Sequence, residues 1–167
     1  MATTTEFKAY YSSDIGLIEI TSSPEAIQSL YFIEAGAVPE PISQATEPKI
    51  LNACLTQLDE YFRGRRDSFE LPLEPEGTPF QKAVWQQLLR IPFGQTASYL
   101  DIARMVGNAK AVRAVGAANG QNPISVIIPC HRVIGSNGKL TGYGGGLWRK
   151  AWLLQHEGVL STQLALL

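Results

Sequence analysis

Between residues 70 and 78 the chain changes character, and this change limits what it can fold into more than any other feature. The stretch is rich in proline, glutamate and glycine, and the sign of the charge flips across it. Residues 1–77 hold 5 Lys/Arg and 13 Asp/Glu, a net of −8, whereas residues 78–150 hold 9 Lys/Arg and the single acid Asp101, a net of +8. A chain of 167 residues is long enough for two small cores. The expected division is an acidic domain over 1–76 and a basic one over 77–167. Positive charge concentrated in this way suggests a polyanion partner, although two halves neutralising each other would give the same counts.

Some classes drop out early. No apolar run approaches the ~20 residues of a membrane span, so no membrane partner is expected. The opening Met1-Ala2-Thr3-Thr4-Thr5-Glu6 is not a basic region leading into an apolar stretch, as a secretory signal would be. Two cysteines form no disulfide framework and suit a reducing interior. A structural zinc site would need both cysteines and both histidines, so no metal is expected.

The local patterns predict an α+β chain. Phe7, Ala9 and Tyr11 alternate, and Leu17–Ile20 and Leu30–Ile33 read as strands around turns at Asp14-Ile15-Gly16 and Ser22-Ser23-Pro24. Residues 36–48, with three prolines, read as a loop. Leu51, Leu55, Leu58, Tyr61 and Phe62 have helical spacing that ends at Gly64, with Cys54 as a buried small hydrophobe. Beyond the boundary the chain is mainly helical. Thr78-Pro79 starts a helix whose apolar side is Phe80, Val84, Trp85, Leu88 and Leu89. Ser98-Tyr99-Leu100-Asp101 has capping-box form and opens a helix ending at Gly107. Asn108 is placed to cap a second helix from Ala109 to about Ala118, carrying Lys110 and Arg113. The pair resembles a helix-turn-helix, with an ordinary tight helix pair as the other reading. Residues 124–134 read as a buried strand or extended segment interrupted by Pro129, and a last helix from about Leu147 to His156 is anchored by Trp148, Trp152 and Leu153.

The chemistry centres on Pro129-Cys130-His131-Arg132-Val133. A thiolate is the attacking form of cysteine, and a free thiol with a pKa of about 8.5 is mostly protonated at neutral pH, so it needs a base or cation nearby. His131 is the adjacent candidate, acting directly or through a water. After the boundary the only acids are Asp101, committed to a helix start, and Glu157, which is left to orient the imidazole. A Cys-His pair also fits a hydrolase, and a helix-turn-helix fits a regulator. A nucleophile acting on DNA joins the two features.

This motif resembles the active site of the O6-alkylguanine-DNA alkyltransferases. Arg113-Ala114-Val115-Gly116, Asn122-Pro123, Tyr99, Tyr143 and Glu157-Gly158 stand at the spacings this family shows relative to its cysteine. The resemblance is specific over about residues 77–160 and looser before them. It implies a small N-terminal sheet-and-helix scaffold and a C-terminal domain with a (winged) helix-turn-helix and the acceptor cysteine. The implied reaction transfers an alkyl group from O6 of guanine irreversibly to Cys130, once per molecule and without cofactor. His131 would take the thiol proton through a water, Glu157 would hold His131, Asn122 would brace the turn before the cysteine, and Tyr99 would donate to the guanine. Arg113 would fill the space left by a flipped base, with Lys110, Ala114 and Gly116 also at the DNA. Tyr143, Gly144, Gly145 and Val133 would wall the base pocket, Gly144 standing where the family often has Ser or Ala. The implied partner is double-stranded DNA containing O6-alkylguanine, bound by a monomer, with cooperative binding left open. The implied location is the cytoplasm, or the nucleus of a eukaryotic host.

Overall fold

The computed structural model describes residues 6–34 and 48–159. The proline-rich loop expected over 36–48 lies outside the described residues except for Pro48. The chain divides into two compact units, Met1–Pro75 and Glu76–Leu167. Among the described residues no helix is long and apolar enough to cross a membrane.

In the first unit, strands β1 (Phe7–Ser13), β2 (Gly16–Ser22) and β3 (Ile27–Ile33) form an antiparallel meander in the order β1-β2-β3. Its register runs from Ser13 opposite Gly16 to Phe7 opposite Ser22. Helix α1 (Lys49–Phe62) lies against the sheet. It buries Leu51, Cys54, Leu58, Tyr61 and Phe62, the stripe that a 3.6-residue period sets on one face. Ala9, Ile18, Ile20, Ile27 and Leu30 are the buried apolar strand residues of this core. Tyr11 stacks on Phe62 with ring centroids 5.8 Å apart, and its hydroxyl donates to Asp59 at 3.0 Å. Cys54 is fully buried, and burial raises its thiol pKa to about 12, which suits the inert role expected of it.

The second unit begins with α2 (Pro79–Leu88). Thr78 accepts from the Gln81 backbone at 3.1 Å while the Gln81 side chain accepts from the Thr78 backbone at 2.8 Å, so two otherwise unpaired amides are satisfied at the helix start. Val84, Trp85 and Leu88 are buried, but Phe80 and Leu89, expected on the same face, are 36% and 42% exposed. They flank the buried arc on opposite sides, where the helix turns toward water.

Helix α3 (Tyr99–Met105) starts with the expected reciprocal bonds between Ser98 and Asp101, at 2.8 and 3.0 Å. The next helix, α4 (Val112–Gly120), begins three residues later than its sequence suggests. Asn108 accepts from the Lys110 amide at 3.1 Å in a local turn and caps no helix. Lys110 therefore sits in the turn, while Arg113 is on the helix. Helices α2, α3 and α4 pack on one another. Trp85 fixes the far end of α4 by donating to the Ala118 carbonyl at 2.8 Å.

Residues 124–128 form a chain of turns, not the strand expected. Ile127 donates to the Ser125 carbonyl at 2.8 Å and Ile128 to the Ile124 carbonyl at 3.0 Å, with Val126 at a positive φ of 70°. Prolines at 123 and 129 remove two amides that a ladder would need, and Asn122 supplies substitute bonds from its side chain. Only β5 (Val133–Ile134) is extended, pairing in parallel with β4 (Ala97–Ser98). The last helix, α5 (Leu147–His156), buries Lys150, Leu153 and Leu154. Trp148, expected as an anchor, is 57% exposed under the Arg149 guanidinium, and Trp152 is half-buried against His156. The inward stripe passes through Lys150 instead.

Candidate active site around Cys130

Cys130 opens a single 3-10 turn, Cys130–Arg132, whose three side chains are all buried. The turn is set from before by Pro129 and by a bond from the Cys130 amide to the Ile128 carbonyl at 2.8 Å. Asn122 donates to that same Ile128 carbonyl at 2.8 Å and accepts from the Ile124 amide at 2.9 Å, closing the loop between residues 122 and 130. Asn119, on the buried side of α4, donates to the Cys130 carbonyl at 3.4 Å. The nucleophile candidate is thus held by two asparagines three residues apart at the end of the helix-turn-helix.

The next two residues turn toward the end of α5. His131 Nε2 lies 2.8 Å from Glu157 Oε2, and Arg132 meets both oxygens of Glu157, Nε to Oε1 at 2.7 Å and a terminal nitrogen to Oε2 at 3.1 Å. The other terminal nitrogen of Arg132 donates to the Ile91 carbonyl at 2.6 Å. Burial by itself would raise Glu157, but His131 and Arg132 hold its carboxyl well below the usual carboxylate range. An ionised Glu157 only accepts hydrogen bonds, so Nε2 of His131 carries the proton and Nδ1 is left as the basic nitrogen. Nδ1 is buried and has no hydrogen-bond partner. Burial pulls the imidazole below its ordinary pKa, against the pull of Glu157, which keeps it neutral and able to accept a proton.

For the thiol, burial raises the pKa, while the Asn122 side chain and the charge of Lys150 act in the opposite direction. Lys150 is fully buried, and Nζ donates to the Thr141 carbonyl at 2.7 Å. Thr141 in turn donates from its hydroxyl to the Tyr99 hydroxyl at 2.8 Å. Tyr99, Thr141, Lys150 and Cys130 therefore form one connected neighbourhood. Burial also raises Tyr143 well above its ordinary value, with Cys130 and Ser125 beside it.

The whole of this site lies in the second unit, and two family sequence models match the chain. One, described as the 6-O-methylguanine DNA methyltransferase DNA binding domain, covers residues 79–159, and the other, the ribonuclease-like domain of the same proteins, covers residues 7–75. The chain belongs to the 6-O-methylguanine DNA methyltransferase family.

Relatives agree over nearly the full length. A methylated-DNA--protein-cysteine methyltransferase of Methanosarcina acetivorans is 46% identical over 91% of this chain and 98% of its own. One of Mycobacterium tuberculosis is 44% identical over 87% and 88%. The crystal structure of the M. tuberculosis O6-methylguanine methyltransferase superposes with a TM-score of 0.80 at 41% identity, covering 95% of this chain and 94% of that one. Another M. tuberculosis structure, in complex with DNA, gives 0.78 at 40% identity, covering 93% and 92%.

In this methyltransferase-family chain the residues singled out from the sequence fall into two groups. Cys130, His131, Glu157 and Asn122 come together directly, with Tyr99 and Tyr143 at the same neighbourhood. Arg113, Ala114 and Lys110 are exposed on the helix-turn-helix, outside this network. Gly116 faces Tyr99, since a Cβ added there would stand 3.9 Å from its ring. Val133 is fully buried in β5, so it packs behind the site. Gly144 is exposed, with open space around an added Cβ, and the Gly145 carbonyl accepts from Arg149 at 2.7 Å. Sequence reasoning missed Lys150, Thr141 and Asn119 and gave Arg132 no partner. The available signal was a lysine on the inward stripe of a helix, where a charged residue needs a reason. Among the described residues no cluster of His, Cys, Asp or Glu could hold a metal ion.

Proposed function

We propose that this chain repairs DNA directly by taking an alkyl group, most simply methyl, from O6 of guanine onto Sγ of Cys130. The thiol proton passes by way of a water to His131 Nδ1. The sulfur then attacks the alkyl carbon, a C–S bond forms, the C–O6 bond breaks, and its electron pair leaves with the guanine. Glu157 holds the resulting imidazolium, and Asn122 keeps the thiol in place. The Tyr99 hydroxyl, now engaged with Thr141, turns to donate to the guanine as charge develops there. A thioether is not a leaving group under these conditions, so each molecule acts once. Neither metal nor cofactor is needed to balance the step.

The observation that carries this reading is the buried His131–Glu157 pair beside Cys130. It supplies a base of defined tautomer in the residue that follows the thiol, in the same unit as a helix-turn-helix with basic groups outward. A base in a duplex must leave the stack to reach such a buried thiol, at a cost of a few kcal/mol. Arg113 on the exposed side of α4 is the side chain that fills the gap, and Lys110, Ala114 and Gly116 complete the approach to the backbone. Tyr143, Gly144 and Gly145 line the base pocket, with Val133 behind it. Residues 1–76 serve as a scaffold domain and residues 77–167 as the DNA-binding and acceptor domain. The M. tuberculosis relative solved with DNA supports DNA as the partner here. The protein acts as a monomer where the DNA is, in the cytoplasm or in a nucleus.

The test is intact-protein mass spectrometry after mixing the chain with a duplex carrying one O6-methylguanine. One added methyl per molecule, mapped to Cys130, absent in Cys130→Ala and never exceeding one event, is the expected result. Repeated turnover, or tight lesion binding with no covalent change, would overturn the proposal.

A further inference from the structure

We propose that Arg132 is a positioning residue for the proton acceptor, fixing Glu157 in the one orientation that leaves His131 Nδ1 free to take a proton. The inference rests on the alkyl-transfer reading for its purpose, but its geometry stands independently. Glu157 follows the last turn of α5 as its C-cap, where the helix dipole disfavours a carboxylate. Its backbone is bonded to α5 at the Leu153 carbonyl, at 3.0 Å, while its side chain meets His131 and Arg132. Arg132 takes Oε1 through Nε and shares Oε2 with His131, a two-point grip that a single-point donor cannot reproduce.

The guanidinium is itself fixed from the other side. It donates to the Ile91 carbonyl at 2.6 Å, left without a helical partner after α2, and lies 6.0 Å from the centroid of the Phe93 ring. The same loop passes close enough to Glu157 that a Cβ on Gly94 would stand 3.0 Å from the Glu157 carbonyl oxygen, and Gly94 has a φ of +80°. Ile91, Phe93 and Gly94 thus form a wall against which Arg132 and Glu157 are clamped. One buried carboxylate is thus held between a guanidinium and the Nε2–H of a neutral imidazole.

The charged groups facing His131 are Glu157, Arg132 and Lys150. Without Arg132, whose charge acts against a proton on the imidazole, Glu157 would draw a proton onto His131 more strongly. The imidazole would then hold its proton over a wider pH range and would be a poorer acceptor for the thiol proton.

The chain has only two histidines, His131 and His156. A 15N-histidine-labelled His156→Gln protein therefore reports one imidazole by NMR, without any substrate. At pH 7 the background protein should show a neutral ring protonated at Nε2. Adding Arg132→Met should raise the titration midpoint of His131 by about one pH unit or more. Adding Arg132→Lys, which keeps the cation, should return the midpoint. In both proteins methyl transfer should be slower than in the background, for Arg132→Met most of all near neutral pH. An unchanged midpoint and tautomer in Arg132→Met would overturn the proposal. If Arg132→Met does not fold, Arg132→Lys decides it: transfer at the background rate across the pH range would overturn it, and a uniform slowing with an unmoved midpoint would support it. If the background protein transfers no methyl, the alkyl-transfer reading fails, and the NMR comparison still judges Arg132.

Discussion

Lys150 Nζ donates to the Thr141 carbonyl at 2.7 Å and reaches the Gly142 carbonyl at 3.4 Å, so a fully buried lysine pins the start of the glycine loop that contains Tyr143. Its charge also acts on Cys130.

Replacing this lysine should separate stability from reactivity. Burial depresses Lys150 to about 8, against the pull of Cys130. A depressed folded pKa means that its contribution to stability is complete above the unfolded value of about 10.4 and is lost as pH falls toward 8. Lys150→Met should flatten the stability profile over that window. It should also move the midpoint for alkylation of Cys130 by iodoacetamide to higher pH. Urea unfolding at several pH values and a thiol reactivity titration would check both.

Glu157 gives the opposite pH signature. Its folded pKa lies well below the usual range, so its contribution is complete above the unfolded value of about 4.3 and lost as pH falls below it toward the folded value. Glu157→Gln should remove this acid-side slope. Because Arg132 would be left buried without its partner, the cost at pH 7 should be about 3–5 kcal/mol. Thermal melts between pH 3 and pH 7 in roughly one-unit steps would test this, and an unchanged acid limb in the variant would count against the pairing.

Asn122→Ala removes the donor to the Ile128 carbonyl and the acceptor for the Ile124 amide. Both backbone groups lie in buried chain, so destabilisation of about 1–3 kcal/mol is expected. The Cys130 thiol should also titrate at higher pH, since the Asn122 side chain lowers it in the native protein. A variant with full stability and an unmoved thiol would show that the loop is held by other means.

The two basic groups of the helix-turn-helix should behave differently. Lys110→Ala should weaken binding to any duplex and reduce the dependence of log K on log salt by about one unit. Arg113→Ala should chiefly slow transfer from O6-methylguanine in a duplex, leaving transfer from free O6-benzylguanine nearly unchanged, because the free base needs no flipping. Equal losses on both substrates would remove Arg113 from that role.

Much of the fold was legible because its signals are local. Thr78, Ser98 and Gly64 act through bonds to residues a few positions away, and the alternation of Phe7, Ala9 and Tyr11 sets strand faces without help from elsewhere. The α+β arrangement, with a sheet-and-helix unit first and a helical unit after it, followed from these. Local signals also misled where two competed. Asn108 can cap a helix or close a turn, and the packing of α4 from Val112 selected the turn. The apolar run 124–128 has strand composition, but its prolines and the side-chain bonds of Asn122 made turns the better way to satisfy its backbone.

The sequence by itself determined the punctuation of the elements, the separation of acidic from basic halves, and the adjacency of Cys130 and His131. It also named Glu157 by elimination, as the one uncommitted acid of the basic half. Tertiary structure alone decided that Glu157 is shared with Arg132, that Lys150 turns inward toward Thr141, and that Asn119 reaches the Cys130 carbonyl. These contacts join groups from 9 to 25 positions apart. No backbone rule spans such distances; they exist because the end of α5 packs against the 3-10 turn, where burial makes each unpaired charge costly and leaves few arrangements that satisfy them all.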